Sequence, residues 1–116
     1  MTWGQARAYC KSKGGDLVKI NSAQENELVL NLVQKYGPSL KQVWINLKWN
    51  SIVQKFVWAD YSVPMYTNWA PHEPNGKANE PCGHMWTHVD LVSGYWNDLA
   101  CDGAKRPCGL VCKMLR

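Results

Sequence analysis

The sequence predicts an α+β domain: two early helices, then short antiparallel strands around one long loop. Three observations predict it. Two segments in the first third of the chain show helical periodicity behind N-capping signals, and the remainder holds only short apolar runs. Between Asp60 and Asn79 lies a stretch rich in Pro, Asn, Gly and Tyr with no usable period. The chain has 116 residues, enough for one core and too few for two, so residues 1–116 are read as a single domain.

The elements follow in order. Thr2 and Gln5 have the spacing of a capping box, Ala6, Ala8, Tyr9 and Cys10 continue the helix, and Gly14 and Gly15 stop it. Asp16 to Ile20 reads as a short strand. Ser22 and Glu25 form a second capping box, after which Leu28, Leu32, Val33 and Tyr36 share one helical face until Gly37-Pro38 ends it. Val43 to Leu47 and Phe56 to Trp58 are apolar strands. Gly83 to Val92 is strand-like, Ser93-Gly94 is a turn, and Leu110 to Met114 closes the chain as a strand. A loop of about 20 residues inside a compact domain is uncommon and usually functional.

Composition narrows the function. Hydrophobic residues make up 46% and charged residues 19%, which is globular rather than disordered. The net charge of +4 is scattered, with no basic run interleaved with aromatics, so nucleic acid is excluded as a partner. No apolar stretch is long enough to insert in a bilayer. Five cysteines point to an oxidising, secreted or extracellular setting, without zinc or redox-motif spacing. Five choices of the odd residue, each with three pairings of the rest, leave the disulfide scheme open. Met1 reads as a start codon on a domain cut from a longer secreted precursor or ectodomain.

The chemistry lies in two segments. Glu73-Pro74-Asn75 and Glu80 fall in and just beyond the long loop, and Trp96-Asn97-Asp98 follows. Together they offer three carboxylates and two amide carbonyls, all hard oxygen donors. Calcium takes about 6–8 oxygens at roughly 2.3–2.6 Å and tolerates irregular geometry. Without a cation these carboxylates would repel one another.

The order of signals resembles the C-type lectin domain family over essentially the whole chain. Cys10 sits in the first helix, Trp44-Ile45-Asn46-Leu47 stands where the family has Trp-Ile-Gly-Leu, and Asn68-Trp69 precedes Glu73-Pro74-Asn75. Trp96-Asn97-Asp98 then precedes the C-terminal cysteines. The resemblance implies the C-type lectin-like fold, with the long loop binding calcium. It makes Glu73, Asn75, Glu80, Asn97 and Asp98 the ligands of one principal Ca2+ and also the clamp for two vicinal sugar hydroxyls. Glu-Pro-Asn implies mannose-type sugars (mannose, fucose, N-acetylglucosamine, glucose), and Pro74 is expected to be cis. Cys10–Cys112 and Cys82–Cys101 are the implied disulfides; the latter would tie the two ligand segments together. The implied partners are glycans. One site binds weakly, so clustered copies, such as a homo-oligomer, would supply avidity.

Departures from the family pattern carry their own expectations. Lys48, Trp49, Asn50 and Val53, with Gly76 and Pro81, replace the acids of the auxiliary site, so no second calcium is expected. Cys108 is extra: a free thiol or an intermolecular bridge. The family's first strand is missing, which leaves Leu110 to Met114 as an exposed edge. Lys77 either brushes a bound sugar or is solvated. Trp44, Trp58, Trp69 and Trp96 are read as core, and Asp90, Asp102, Lys105 and Arg106 as surface charge. His84 and His88 lie four apart in strand-like sequence, roughly 13 Å, too far to share a metal. An enzyme is not expected, because no nucleophile stands beside a base and no HExxH is present. The competing reading keeps the fold but binds protein or ice instead of sugar.

Overall fold

The structure, a computed structural model, describes residues 1–103 and 107–114; Lys105 and Arg106 lie outside them. Helix α1 spans Trp3–Ser12. Its capping box is complete: Gln5 N–H donates to Thr2 Oγ1 at 3.1 Å, and Thr2 N–H donates to Gln5 Oε1 at 2.9 Å. Gly14, at φ +90°, takes the chain out of the helix. Gly15 belongs instead to strand β1 (Gly15–Leu17), where a Cβ would meet the Lys113 carbonyl oxygen at 2.5 Å. The strand expected over Asp16 to Ile20 is therefore shorter and earlier. Val18 and Ile20 are buried in the core outside any strand.

Helix α2 spans Ala23–Tyr36. Ser22 accepts from Glu25 N–H, but Glu25 Oε1 accepts from Asn21 N–H, so the second capping box is not reciprocal. Its buried face also differs from the expected one. Asn26, Val29 and Val33 face inward, while Leu28, Leu32 and Tyr36 are 66%, 44% and 73% exposed. A polar residue wins an inward place because its amide is satisfied there. Asn26 Nδ2 donates to the Gly94 carbonyl at 2.9 Å, and its Oδ1 accepts from Trp96 Nε1 at 2.7 Å.

The main sheet contains β2 (Gln42–Asn50), β3 (Lys55–Trp58), β4 (Cys82–Trp86) and β5 (Trp96–Leu99) in the order β3-β2-β4-β5. The pairs along this path are antiparallel; β6 (Gly109–Leu110) pairs with β2 in parallel. The strand expected over Gly83 to Val92 ends at Trp86, where the chain turns, and β5 is an element the sequence reading did not assign. The expected strand Leu110 to Met114 is broken at Val111, whose carbonyl accepts from Val18 N–H at 2.9 Å. Its second half, β7 (Cys112–Met114), pairs antiparallel with β1, so among the named strands only one of its edges is open.

Two apolar clusters fill the interior. One joins Val29 and Val33 of α2 to Ile45, Trp58, Met85 and Trp96 of the sheet. The other joins Trp3, Ala6 and Cys10 of α1 to Trp44, Cys82, Leu99 and Cys108. The disulfides Cys10–Cys112 and Cys82–Cys101 are both present, as the resemblance implied. Cys108 stands outside both and is buried. Trp44, Trp58 and Trp96 are buried and Trp69 is partly so, as expected of core residues. Asp90 and Asp102 are exposed.

Candidate functional site

The long loop is organised from Trp96. This indole is fully buried, with Trp58, Tyr66 and Trp69 around it at centroid distances of 5.7, 5.8 and 6.0 Å. Its backbone clamps the loop along the outer edge of β5. Trp96 N–H donates to Asn68 O, and Ala70 N–H donates to Trp96 O, both at 2.8 Å. Glu73 N–H then donates to Ala70 O at 3.0 Å, and the Glu73-Pro74 peptide is cis, as expected.

Beyond that turn Asp98 takes over. It is fully buried, and its carboxylate accepts three successive backbone N–H groups: Asn75 at 3.3 Å, Gly76 at 2.6 Å and Lys77 at 3.1 Å. Charge-assisted bonds of this kind hold the loop tip against β5. A 3-10 turn over Lys77–Asn79 then brings Glu80 back under Gly76, where a Cβ on the glycine would overlap the Glu80 side chain. Tyr61, His72 and Lys77 all adopt left-handed backbone (φ 71°, 68° and 48°), strain concentrated in this loop.

The three carboxylates converge. Burial, followed by the charge and contact of Asp98, pushes the Glu73 carboxyl above its ordinary value; burial and Asp98 do the same to Glu80. One Glu73 oxygen is buried and has no hydrogen-bond partner. The charge of His72 also acts on Glu73, in the opposite sense, and calcium, a hard divalent cation, fits the donor set of this cluster. Among the described residues no group of three or more His, Cys, Asp or Glu side chains is placed to hold a metal ion. Two of the five expected donors, Asn75 and Asn97, are amides.

The other expected site residues are placed less uniformly. Asn75 and Lys77 are exposed, with Lys77 tied to the site through its backbone N–H rather than its ammonium. Asn97 is half-buried and does not join the carboxylates in a hydrogen bond; its Nδ2 lies 3.0 Å from His84 Nε2. In sequence His84 stands out by its spacing from His88, which does not form a metal pair. His88, its would-be partner, contacts the Leu40 carbonyl. The signal for His84 lay in strand register, since His84 and Asn97 are direct partners across β4 and β5. At the auxiliary position, the Asn50 carboxamide oxygen accepts from Ile52 and Val53 N–H and is used up locally.

The site is an open surface. A cavity of about 520 Å³ elsewhere, lined by Leu40, Gln42, Trp86 and Pro107 among others, includes none of the candidate ligands.

The sequence pattern of the Lectin C-type domain matches residues 1–114. The chain belongs to the C-type lectin domain family. A relative, the alpha-N-acetylgalactosamine-specific lectin of Patiria pectinifera, is 33% identical over 118 residues, covering 97% of this chain and 68% of its own length. Among solved structures, the carbohydrate-recognition domain of cow CD23, crystallised in the presence of a GlcNAc2Man3 oligosaccharide, superposes with a TM-score of 0.79 at 32% identity. That match covers 100% of this chain and 82% of the other. A calcium-independent type II antifreeze protein gives a TM-score of 0.78 at 28% identity, covering 97% and 77%. The chain spans 63% and 68% of the first two curated relatives and 17% of another. The family consists of binding modules, and no helix among the described residues is long and apolar enough to cross a membrane.

Proposed function

We propose that this C-type lectin domain is a calcium-dependent binding module for mannose-type sugars: mannose, fucose, N-acetylglucosamine and glucose. The observation that carries the reading is the convergence of Glu73, Glu80 and Asp98, with a buried, unpartnered Glu73 oxygen among them. Glu73, Asn75, Glu80, Asn97 and Asp98 would hold one calcium ion. Once bound, the ion neutralises the carboxylates and offers open coordination positions to two neighbouring sugar hydroxyls. The chain's own groups orient the sugar. Each hydroxyl donates to a Glu73 or Glu80 oxygen and accepts from an Asn75 or Asn97 N–H, and Lys77 lies at the rim. Glu73-Pro74-Asn75 supports the mannose-type class, as does the oligosaccharide used with the cow CD23 domain.

The two disulfides and the named receptors among the relatives support a secreted or extracellular setting. A single open site supports weak binding per domain, with clustered copies supplying avidity. A glycan array run with calcium and again in EDTA tests the reading. Mannose-type glycans should be retained with calcium and released by EDTA. Retention in EDTA, or stronger binding to N-acetylgalactosamine glycans, overturns it. A second reading, protein or ice binding without sugar, draws on the calcium-independent antifreeze neighbour. Failure of every sugar column in the presence of calcium would favour it.

A further inference from the structure

His84 is fully buried on β4, directly across from Asn97 on β5. Trp44 meets its ring edge-on at 6.3 Å and Trp86 at 4.7 Å, so the imidazole is walled by two indoles. Its Nε2 lies 3.0 Å from Asn97 Nδ2. In this orientation of the Asn97 amide its nitrogen faces Nε2, and an amide nitrogen has only hydrogens to offer, so the arrangement requires Nε2 as the acceptor and the ring proton on Nδ1. The terminal torsion of an asparagine is broad, and its amide can present either nitrogen or oxygen in a given direction. With Nδ2 bound to the buried ring, the planar amide turns Oδ1 away from that ring. The second Nδ2 hydrogen stays available.

We propose that His84 is a positioning residue that presents Asn97 Oδ1 to the bound calcium and leaves an Asn97 N–H for the sugar. This inference rests on the reading of Asn97 as a calcium ligand. His84 does not itself touch the ion or the sugar. It settles which end of the amide faces outward before any ligand arrives, and partners of this kind commonly change metal affinity 10- to 100-fold when removed.

Two measurements test it. Long-range 1H–15N NMR on calcium-free wild-type protein reports the tautomer of His84. A proton on Nδ1 is expected; one on Nε2 overturns the proposal, because that atom could then bind only the amide oxygen. Calorimetric calcium titration of His84→Phe and His84→Gln gives the second. The phenyl ring keeps the apolar packing and offers no acceptor, so calcium affinity should fall about tenfold or more. Glutamine places an amide oxygen near the position of Nε2 and should restore most of it. Unchanged or tighter binding by His84→Phe, or a folded His84→Gln as weak as His84→Phe, overturns the role of His84. If His84→Phe does not fold by circular dichroism, the tautomer and His84→Gln decide. No calcium uptake by wild-type protein would instead overturn the calcium reading itself.

Discussion

Asp98→Asn separates two jobs that one carboxylate performs, holding the loop and facing the cation. In calcium-free protein only the first remains. The carboxylate accepts from Asn75 N–H on one oxygen and from Gly76 and Lys77 N–H on the other. An asparagine that keeps its carbonyl toward Gly76 and Lys77 turns its NH2 onto the Asn75 N–H, donor against donor. One bond is lost, and the other two fall from charge-assisted to neutral strength, roughly half. With about 1.5–3 kcal/mol for a hydrogen bond to a charged group, the cost is roughly 3–6 kcal/mol before the carboxylate repulsion is relieved. That is a large share of the stability of a domain this size.

An opposing effect has a distinct pH signature. Asp98 is one reason why the Glu73 and Glu80 carboxyls lie above their ordinary values. Acids whose folded values are raised bind protons more readily in the native state, so wild-type stability rises as pH falls through those values. The variant lacks the Asp98 contribution and gains less. The stability gap should therefore widen between pH 7.5 and pH 5. Urea unfolding in EDTA, followed by Trp fluorescence, reads both effects as a midpoint shift of roughly 1.5–3 M at pH 5. A variant as stable as wild type at pH 5, or a gap that narrows on acidification, would refute the assignment of Asp98 as the loop's anchor.

Further outcomes follow from other parts of the fold. Cys82 and Cys101 are 19 residues apart and Cys10 and Cys112 are 102 apart. Loop-closure entropy then assigns about 3 and about 4.7 kcal/mol to the two disulfides, so Cys10→Ala/Cys112→Ala should unfold at lower urea than Cys82→Ala/Cys101→Ala. The reverse order would show that packing around Cys82 outweighs chain entropy. Gly76→Ala should displace Glu80, because its Cβ would fall within 2.6 Å of the Glu80 Cβ and Cγ; calorimetry should show weaker calcium binding, and the melting temperature in EDTA should fall modestly. Hydrogen bonds from Ser62 and Lys19 hold the Asp60 carboxyl well below the usual carboxylate range. Its contribution is present above the unfolded carboxylate value and is lost as pH falls toward the folded one. Asp60→Asn should therefore be slightly less stable than wild type at pH 7, and chemical denaturation should show that difference fading in acid.

What could be read from the sequence divides along the range of the interactions. The Thr2–Gln5 capping box, the Gly14 stop and the Ser93-Gly94 turn are set within a few residues, and each appears where local spacing put it. The inward face of α2 is set by partners 68 and 70 residues away, which satisfy Asn26 and leave Leu28 and Leu32 in solvent. Hydrophobicity along the helix could not reveal that choice. Strand β5 was hidden for a related reason. Its residues were so marked by their chemistry that they were read as donors, whereas their conformation depends on pairing with β4 across the turn.

The candidate site shows the same division within a few ångströms. Glu73, Glu80 and Asp98 were legible because acidic and amide side chains bunched in two short segments supply a donor set that suits a hard cation. Their scaffold was not legible. The acceptor for the loop's backbone comes from β5, and the partner of Asn97 comes from β4. A histidine between two tryptophans looks like ordinary core until the register sets its ring nitrogen against an amide that has somewhere else to point. The ligands announce the chemistry, but it is the pairing of β4 with β5 that decides whether Asn97 enters it with its oxygen or its nitrogen first.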